Sequence, residues 1–242
     1  MERGRGPTAN VAFAGLTAAG KTTHARLLAD ELGYAYVSAT ELMLELLGMT
    51  STSPDGVWFH AHEQITAARA VTDVDDVLDQ HLQEMARTNT RTVFDTWTLA
   101  WVSEAPIVRV WVESDRSSRI RKAYVSQGAE PALDLAGCAA LVQRKDDEAR
   151  QRFILSHGYD LYNDRHRYHA LLDNSHLIPN ASAAAAAAGV ARFSPAVTAV
   201  TRALLCAIEG HTPPASPRDL LATFPRMITR LDMPAGTVPD RP

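Results

Sequence analysis

Along the chain, short unbroken apolar runs alternate with longer stretches in which apolar residues recur every three or four positions. Residues 11–14 read as a buried strand ending at Gly15, and residues 21–32 as a helix stopped by Gly33, a residue suited to closing a helix. Residues 34–37 form a second strand and 40–47 a helix with one apolar face, followed by a loop over 48–62. Val71, Val74, Leu78, Leu82 and Met85 predict an amphipathic helix. Strands follow at 92–95 and 107–112, then a basic helix over 116–125, a flexible excursion over 127–134 and a charge-dense helix over 139–155. A fifth strand begins at 170–172 and ends near Asp173. Strands and helices in this alternation build a parallel sheet covered on both faces.

The remainder is less regular. Residues 181–191 are almost pure alanine, carry no apolar stripe beyond their methyl groups and read as a spacer or insertion. Residues 195–208 form the last helix of a domain spanning 8–210. The tail, 211–242, has seven prolines and is expected to be loosely ordered, with one short helix around 219–230.

Length and composition narrow the class. With 242 residues, 46% of them hydrophobic, the chain can bury one sizeable α/β core. A net charge of −4 gives no overall pull toward nucleic acid or acidic lipid. Cys138 and Cys206 are far apart, which argues against a disulfide scaffold or a cysteine-rich metal site. No apolar run approaches the roughly 18 residues of a membrane span, and the start leads into an apolar run too short for a signal peptide. These features fit a cytoplasmic enzyme with a small-molecule partner, neither a nucleic acid nor a membrane. Only three lysines occur, Lys21, Lys122 and Lys145, so where one stands carries information.

One stands in Gly15-Leu16-Thr17-Ala18-Ala19-Gly20-Lys21-Thr22, which matches GxxxxGK[ST] at every fixed position, after a predicted strand and at the start of a predicted helix. Glycines let successive amides curl toward phosphate oxygens, and the helix aims its positive end at the same anion. Gly15, Thr17, Ala18, Ala19, Gly20, Lys21, Thr22 and Thr23 are therefore the candidate contacts to ATP, with Lys21 reaching the β- and γ-phosphates. Thr22 can ligate Mg2+, joined by Asp95, which closes the third strand and can alternatively cap it.

Three segments resemble the cytidylate kinase-like branch of the nucleoside monophosphate kinases: VAFAGLTAAGKTTHARLLADELGYAYVSATELM, VDDVLDQHLQEMARTNTRTVFDTW, and QRKDDEARQRFILSHGYDL followed by LLDNSHL. Together they span most of 11–177 in the family's order. The resemblance implies a three-layer α/β P-loop kinase fold with a five-stranded parallel sheet, an acceptor-binding insertion over about 38–90 and a short lid over about 122–143. It implies ATP-dependent transfer to a nucleoside monophosphate, CMP- or dCMP-like or a modified pyrimidine nucleotide. Transfer between two phosphates needs cations on both sides of the gap. Basic residues flank the excursion, with Arg116, Arg119, Arg121 and Lys122 before it and Arg144, Lys145, Arg150 and Arg152 after it. Lys21, Asp95, Arg119 and Arg150 are the catalytic candidates, Arg119 also touching the donor. Ser38, Asp75, Trp97, Arg144, Asp147 and Arg150 are the candidates for the acceptor, with Asp75 and Asp79 as paired acids.

The chain departs from that family at Asp95-Thr96-Trp97-Thr98, where relatives follow the acid with Gly-Arg and grip the acceptor phosphate. Trp97 can stack on a base or sugar, or be core. A P-loop kinase for another small metabolite, or a nucleotide-binding protein without transferase activity, stays open beside the first reading. Trp58, His60 and His62 fall in the insertion, and the two histidines lack the acidic or cysteine partners of a metal site.

Overall fold

A computed structural model describes residues 7–49 and 62–234. Trp58 and His60 lie outside the described residues, as does most of the expected loop over 48–62. The strands are β1 (Asn10–Gly15), β2 (Ala35–Ser38), β3 (Thr92–Asp95), β4 (Ile107–Glu113), β5 (Ala170–Asp173) and β6 (Ile228–Leu231). They form one sheet in the order β2-β3-β1-β4-β5-β6. The first five are parallel, with β1 paired to β3 on one side and β4 on the other. The sixth is antiparallel to β5, so the five expected strands gain an edge strand from the segment read as a loose tail.

Helices cover both faces. α1 (Lys21–Leu32) follows β1, and Gly33 closes it in a left-handed conformation. Between β2 and β3 lie α2 (Ala39–Leu46), α3 (His62–Ala70) and α4 (Val74–Thr88). α4 buries Val74, Leu78 and Leu82 of the predicted stripe together with Ala86, while Met85 is half-buried and Val71 lies exposed ahead of the helix. After β3 comes the single turn α5 (Leu99–Val102), and after β4 come α6 (Arg116–Val125) and α7 (Leu135–His157). Asp115 and Asp134 cap these two, accepting from the amides of Ser118 and Gly137 at 2.6 and 2.7 Å. The excursion joining them is tied across its neck by Gln127, which bonds both the amide and the carbonyl of Leu133 at 2.9 and 3.0 Å.

α8 (Ala183–Ile208) replaces the expected spacer and short last helix with one continuous element that contains Pro195. Among the described residues it is the one helix long and apolar enough to cross a membrane by length and composition. Its second half, however, lays Phe193, Val197, Val200, Leu204 and Ile208 against the sheet. The alanines before it ride on that anchored half. α9 (Pro217–Thr223) and β6 complete the chain, with Leu220 and Ile228 buried in the same core. Two apolar layers result: α1, α8 and α9 pack on one sheet face, and α2, α4, α5 and part of α7 on the other.

Candidate active site

The switch point of the sheet sets the site. β1 sits centrally, its neighbours β3 and β4 lead the chain to opposite sides, and the crevice opens beyond the carboxyl ends of the strands. The loop from β1 to α1 lies there. A Cβ on Gly15 would stand 2.6 Å from the Val112 carbonyl oxygen, so only glycine lets the loop leave β1 this close to β4. Ala18 (φ 59°) and Gly20 (φ 97°) are both left-handed, a backbone alternation that turns amides inward into an anion-binding nest. Gly20 is the N-cap of α1 and has no side-chain oxygen to satisfy the first-turn amides, which stay available to an anion.

Around this nest runs a cavity of about 560 Å³. Thr17, Ala18, Gly20, Lys21, Thr22 and Thr23 line it, as do Ser38, Asp75, Asp95 and Trp97. The Lys21 ammonium donates to the Leu16 carbonyl at 3.2 Å and lies 5.0 Å from the centre of the Trp97 ring. Burial lowers its pKa, opposed by Asp95 and Asp146 and reinforced by Arg119. The Thr22 hydroxyl donates to Asp95 at 2.5 Å, and the Tyr36 hydroxyl reaches the same carboxylate oxygen at 3.3 Å. Ser38 accepts from the Glu41 amide at 3.3 Å, so its hydroxyl caps α2 while facing the cavity.

Thr22 and Asp95 offer two hard oxygens side by side, the donor set that a small divalent cation takes together with phosphate oxygens and water. Among the described residues no group of three or more His, Cys, Asp or Glu could hold a metal alone. A cation here would share its shell with the nucleotide.

Behind the nest stand residues that hold it. The Thr17 amide donates to Asp146 at 2.9 Å. The other Asp146 oxygen accepts from Arg119, which also donates to the Thr17 carbonyl at 3.2 Å. Arg119 and Asp146 are buried and lie outside the cavity lining, so Arg119 clamps the loop instead of facing the donor. The Ala19 carbonyl accepts from Asn174 at 2.9 Å and Lys122 at 3.3 Å; Lys122 also bonds Ser114 at 2.8 Å. Burial brings Lys122 down to about 7. Asp146→Asn removes the charge compensating buried Arg119 and is expected to lower unfolding free energy by about 2 kcal/mol. Urea unfolding monitored by circular dichroism checks this; an unchanged midpoint contradicts it.

On the β3 side the structure separates the residues expected at the acceptor: Ser38, Asp75 and Trp97 line the cavity, and three others do not. Arg150 makes a two-point ion pair with Asp160 at 2.8 Å and lies over the Tyr162 ring, away from the cavity. Asp147 accepts from Tyr162 at 2.7 Å, and Arg144 is exposed. None of the three lines the cavity. The adjacent face of α7 does, presenting Lys145, Glu148 and Arg152, because Ala149 and Phe153 share that face and are drawn into the core. Lys145 is brought down to about 7 by burial and the nearby Lys21. Arg152 pairs with Asp75 at 3.3 Å, and Arg69 of α3 pairs with that same carboxylate. Beyond them, Asp79 accepts from Thr98 at 2.6 Å and bonds the His157 ring at 2.9 Å. Burial pushes the Asp79 carboxyl up, against the hydrogen bonds from both partners. Trp97 packs edge-on against Phe153 at 5.9 Å and still borders the cavity. Arg69 and Arg152 are not legible from motif order; the apolar stripe of α7, extended to its polar neighbours, is the signal that finds Arg152.

A model of the cytidylate kinase-like family matches residues 10–176. Among solved structures, the chain is similar to shikimate kinase from Bacteroides thetaiotaomicron at 16% identity, over 66% of this chain and 92% of that one, with a TM-score of 0.42. It is similar to a gluconokinase from Sinorhizobium meliloti 1021 at 13% identity, over 80% and 97%, with a TM-score of 0.40. An uncharacterized protein from Eubacterium ventriosum ATCC 27560 is similar at 11% identity, over 68% and 87%, with a TM-score of 0.47. No curated protein matches the chain.

Proposed function

The chain belongs to the cytidylate kinase-like family, and from that we propose that it transfers the γ-phosphoryl group of ATP to a nucleoside monophosphate, CMP- or dCMP-like or a modified pyrimidine nucleotide. The observation that carries this reading is one continuous cavity. It runs from the α1 amides past Lys21 and Asp95 to the arginines that share Asp75. The first end suits a triphosphate and the second an anionic acceptor, which is the layout in-line transfer needs. In this reading Lys21 neutralises charge on the transferring group, and Thr22 with Asp95 holds Mg2+. Bound there, the cation would supply positive charge to the polyphosphate. Arg69 and Arg152 take the role that an arginine after the strand acid fills in relatives, and Trp97 with Phe153 offers an aromatic wall to a base.

A second reading, a kinase for a small metabolite other than a nucleotide, draws support from Trp97 in place of that arginine. It also draws support from the bonded trio of Thr98, Asp79 and His157, which suits a hydroxyl-bearing acceptor.

Coupled ADP release across CMP, dCMP, UMP, AMP and GMP separates the two. The first reading expects turnover on at least one pyrimidine monophosphate. It also expects Arg152→Ala to raise that acceptor's KM about 10- to 100-fold, the loss of a charge-assisted contact, and Arg150→Ala to change it less than about twofold. Turnover confined to a non-nucleotide acceptor selects the second reading. ATP binding without turnover on any acceptor rejects both.

A further inference from the structure

Asp95 is gripped from two sides, and only one grip belongs to the cavity. Thr22, in the cavity lining, donates to Asp95 Oδ2 at 2.5 Å, and the Tyr36 hydroxyl reaches the same oxygen at 3.3 Å from outside that lining. We propose that Tyr36 is a positioning residue: its hydroxyl sets the rotation of the Asp95 carboxylate, and so how tightly Asp95 and Thr22 hold a divalent cation. The inference rests on the kinase reading above, which puts the cation at that pair.

The sheet explains why a tyrosine reaches this carboxylate. β2 is the edge strand beside β3, with Tyr36 opposite Val93 and Ser38 opposite Asp95. Successive strand residues alternate between faces, so Tyr36, Val93 and Asp95 share the face that α1 covers. Two residues along a strand span roughly 6–7 Å, comparable to the reach of a tyrosine side chain leaning along the strand. The phenolic oxygen therefore arrives at the end of β3 while the ring packs against the core. A phenylalanine would fill the same space and offer no donor.

Arg26 of α1 holds the ring in place. Its guanidinium lies 5.2 Å from the ring centre and pairs with Glu41 of α2 at 2.9 Å. An aspartate carboxylate turns easily about its last bond, where the rotational preference is broad. A hydrogen bond from outside the coordination shell is the device that orients a ligating carboxylate. Thr22 can give a lone pair to a cation and keep donating to Asp95, because a hydroxyl has one donor and two acceptor sites. Tyr36 needs no place in the shell, so its grip on Asp95 is compatible with a bound cation.

The test uses the full chain, with ATP titrated calorimetrically at stepped Mg2+ and with Mn2+ as a probe read by electron paramagnetic resonance. Tyr36→Phe keeps the ring and the Arg26 contact and removes the hydroxyl. Tyr34→Phe is the control, because that hydroxyl donates to the Pro7 carbonyl at 2.6 Å. We expect Tyr36→Phe to raise the Mg2+ and Mn2+ concentrations that half-saturate the ATP-bound protein about tenfold, with metal-free ATP affinity within about twofold. Its melting temperature should stay close to that of the wild type, and Tyr34→Phe should keep the wild-type metal dependence. On an Asp95→Asn background, Tyr36→Phe should add less than about twofold, because its effect runs through that carboxylate. An unchanged metal dependence in Tyr36→Phe overturns the proposal. So does a loss that persists in full on Asp95→Asn, or an equal loss of metal-free ATP binding. A wild type whose ATP affinity ignores both cations overturns the cation site of the kinase reading, and the proposal with it.

Discussion

Lys21→Ala is expected to lower kcat about 10³-fold, or ~4 kcal/mol of transition-state stabilisation, while leaving the melting temperature within a few degrees of wild type. Two observations set both halves of that expectation. The Lys21 ammonium is buried beside the nest and its charged form is disfavoured by desolvation, which Asp95 and Asp146 oppose, so a polyphosphate arriving there adds to the charge that stabilises it. Its hydrogen bond to Leu16 is a single contact at 3.2 Å, too little for its loss to unfold the loop that Arg119, Asp146, Asn174 and Lys122 hold from behind. Lys21→Arg should recover little, because a bulkier planar guanidinium must share the space with Trp97. Steady-state kinetics with thermal melting checks both parts; wild-type turnover in Lys21→Ala contradicts the assignment.

Asp95→Asn is expected to cost roughly 10²- to 10³-fold in kcat and to raise the Mg2+ concentration for half-maximal activity about tenfold or more. An asparagine keeps the size and can still accept from Thr22 and Tyr36, which bond the carboxylate at 2.5 and 3.3 Å. What it removes is the charge. A strand-end cap would tolerate that change with its Mg2+ dependence intact, so titrating the cation against activity separates the two roles. ATP affinity measured without Mg2+ should change little, because the α1 amides and Lys21 remain.

The parts legible in the sequence were those whose chemistry is local. Eight consecutive residues specify the nest, since backbone curl, helix start, Lys21 and Thr22 all lie within one turn of each other. The parallel strands were legible because each is a short apolar run between helices, and β1 is buried along its whole length. The acceptor side needed information that spacing lacks. Arg144, Asp147 and Arg150 share a helix face, but a one-residue step rotates the face by about 100°. Asp160 and Tyr162, ten or more residues on, hold Arg150 outside. α3 escaped notice because Ile65 is its buried residue and no stripe surrounds it. β6 escaped because four residues in a proline-rich stretch acquire a strand's meaning only beside β5. The alanine run carries no stripe of its own and is helical because Phe193 and the residues after it anchor the same helix.

Arg119 and Arg150 are held by their own chain. Both looked like cations aimed at phosphates, and both are matched to carboxylates of their own chain, Asp146 and Asp160. Arg69 and Arg152 are also paired, but they share the one carboxylate of Asp75 at the cavity wall. Glu148 of α7 also stands beside Arg152, and in the proposed reading an acceptor anion joins this cluster.

In the proposed function the amides of Ala18, Gly20, Lys21 and Thr22, with the Lys21 ammonium, cradle a triphosphate, while the Ala19 amide closes the loop on the Leu16 carbonyl. Isothermal titration of the full chain with Mg·ATP tests it most directly. One site per chain, lost in Lys21→Ala and competed by inorganic tripolyphosphate, is the predicted result. A folded protein that takes up neither Mg·ATP nor Mg·GTP contradicts it.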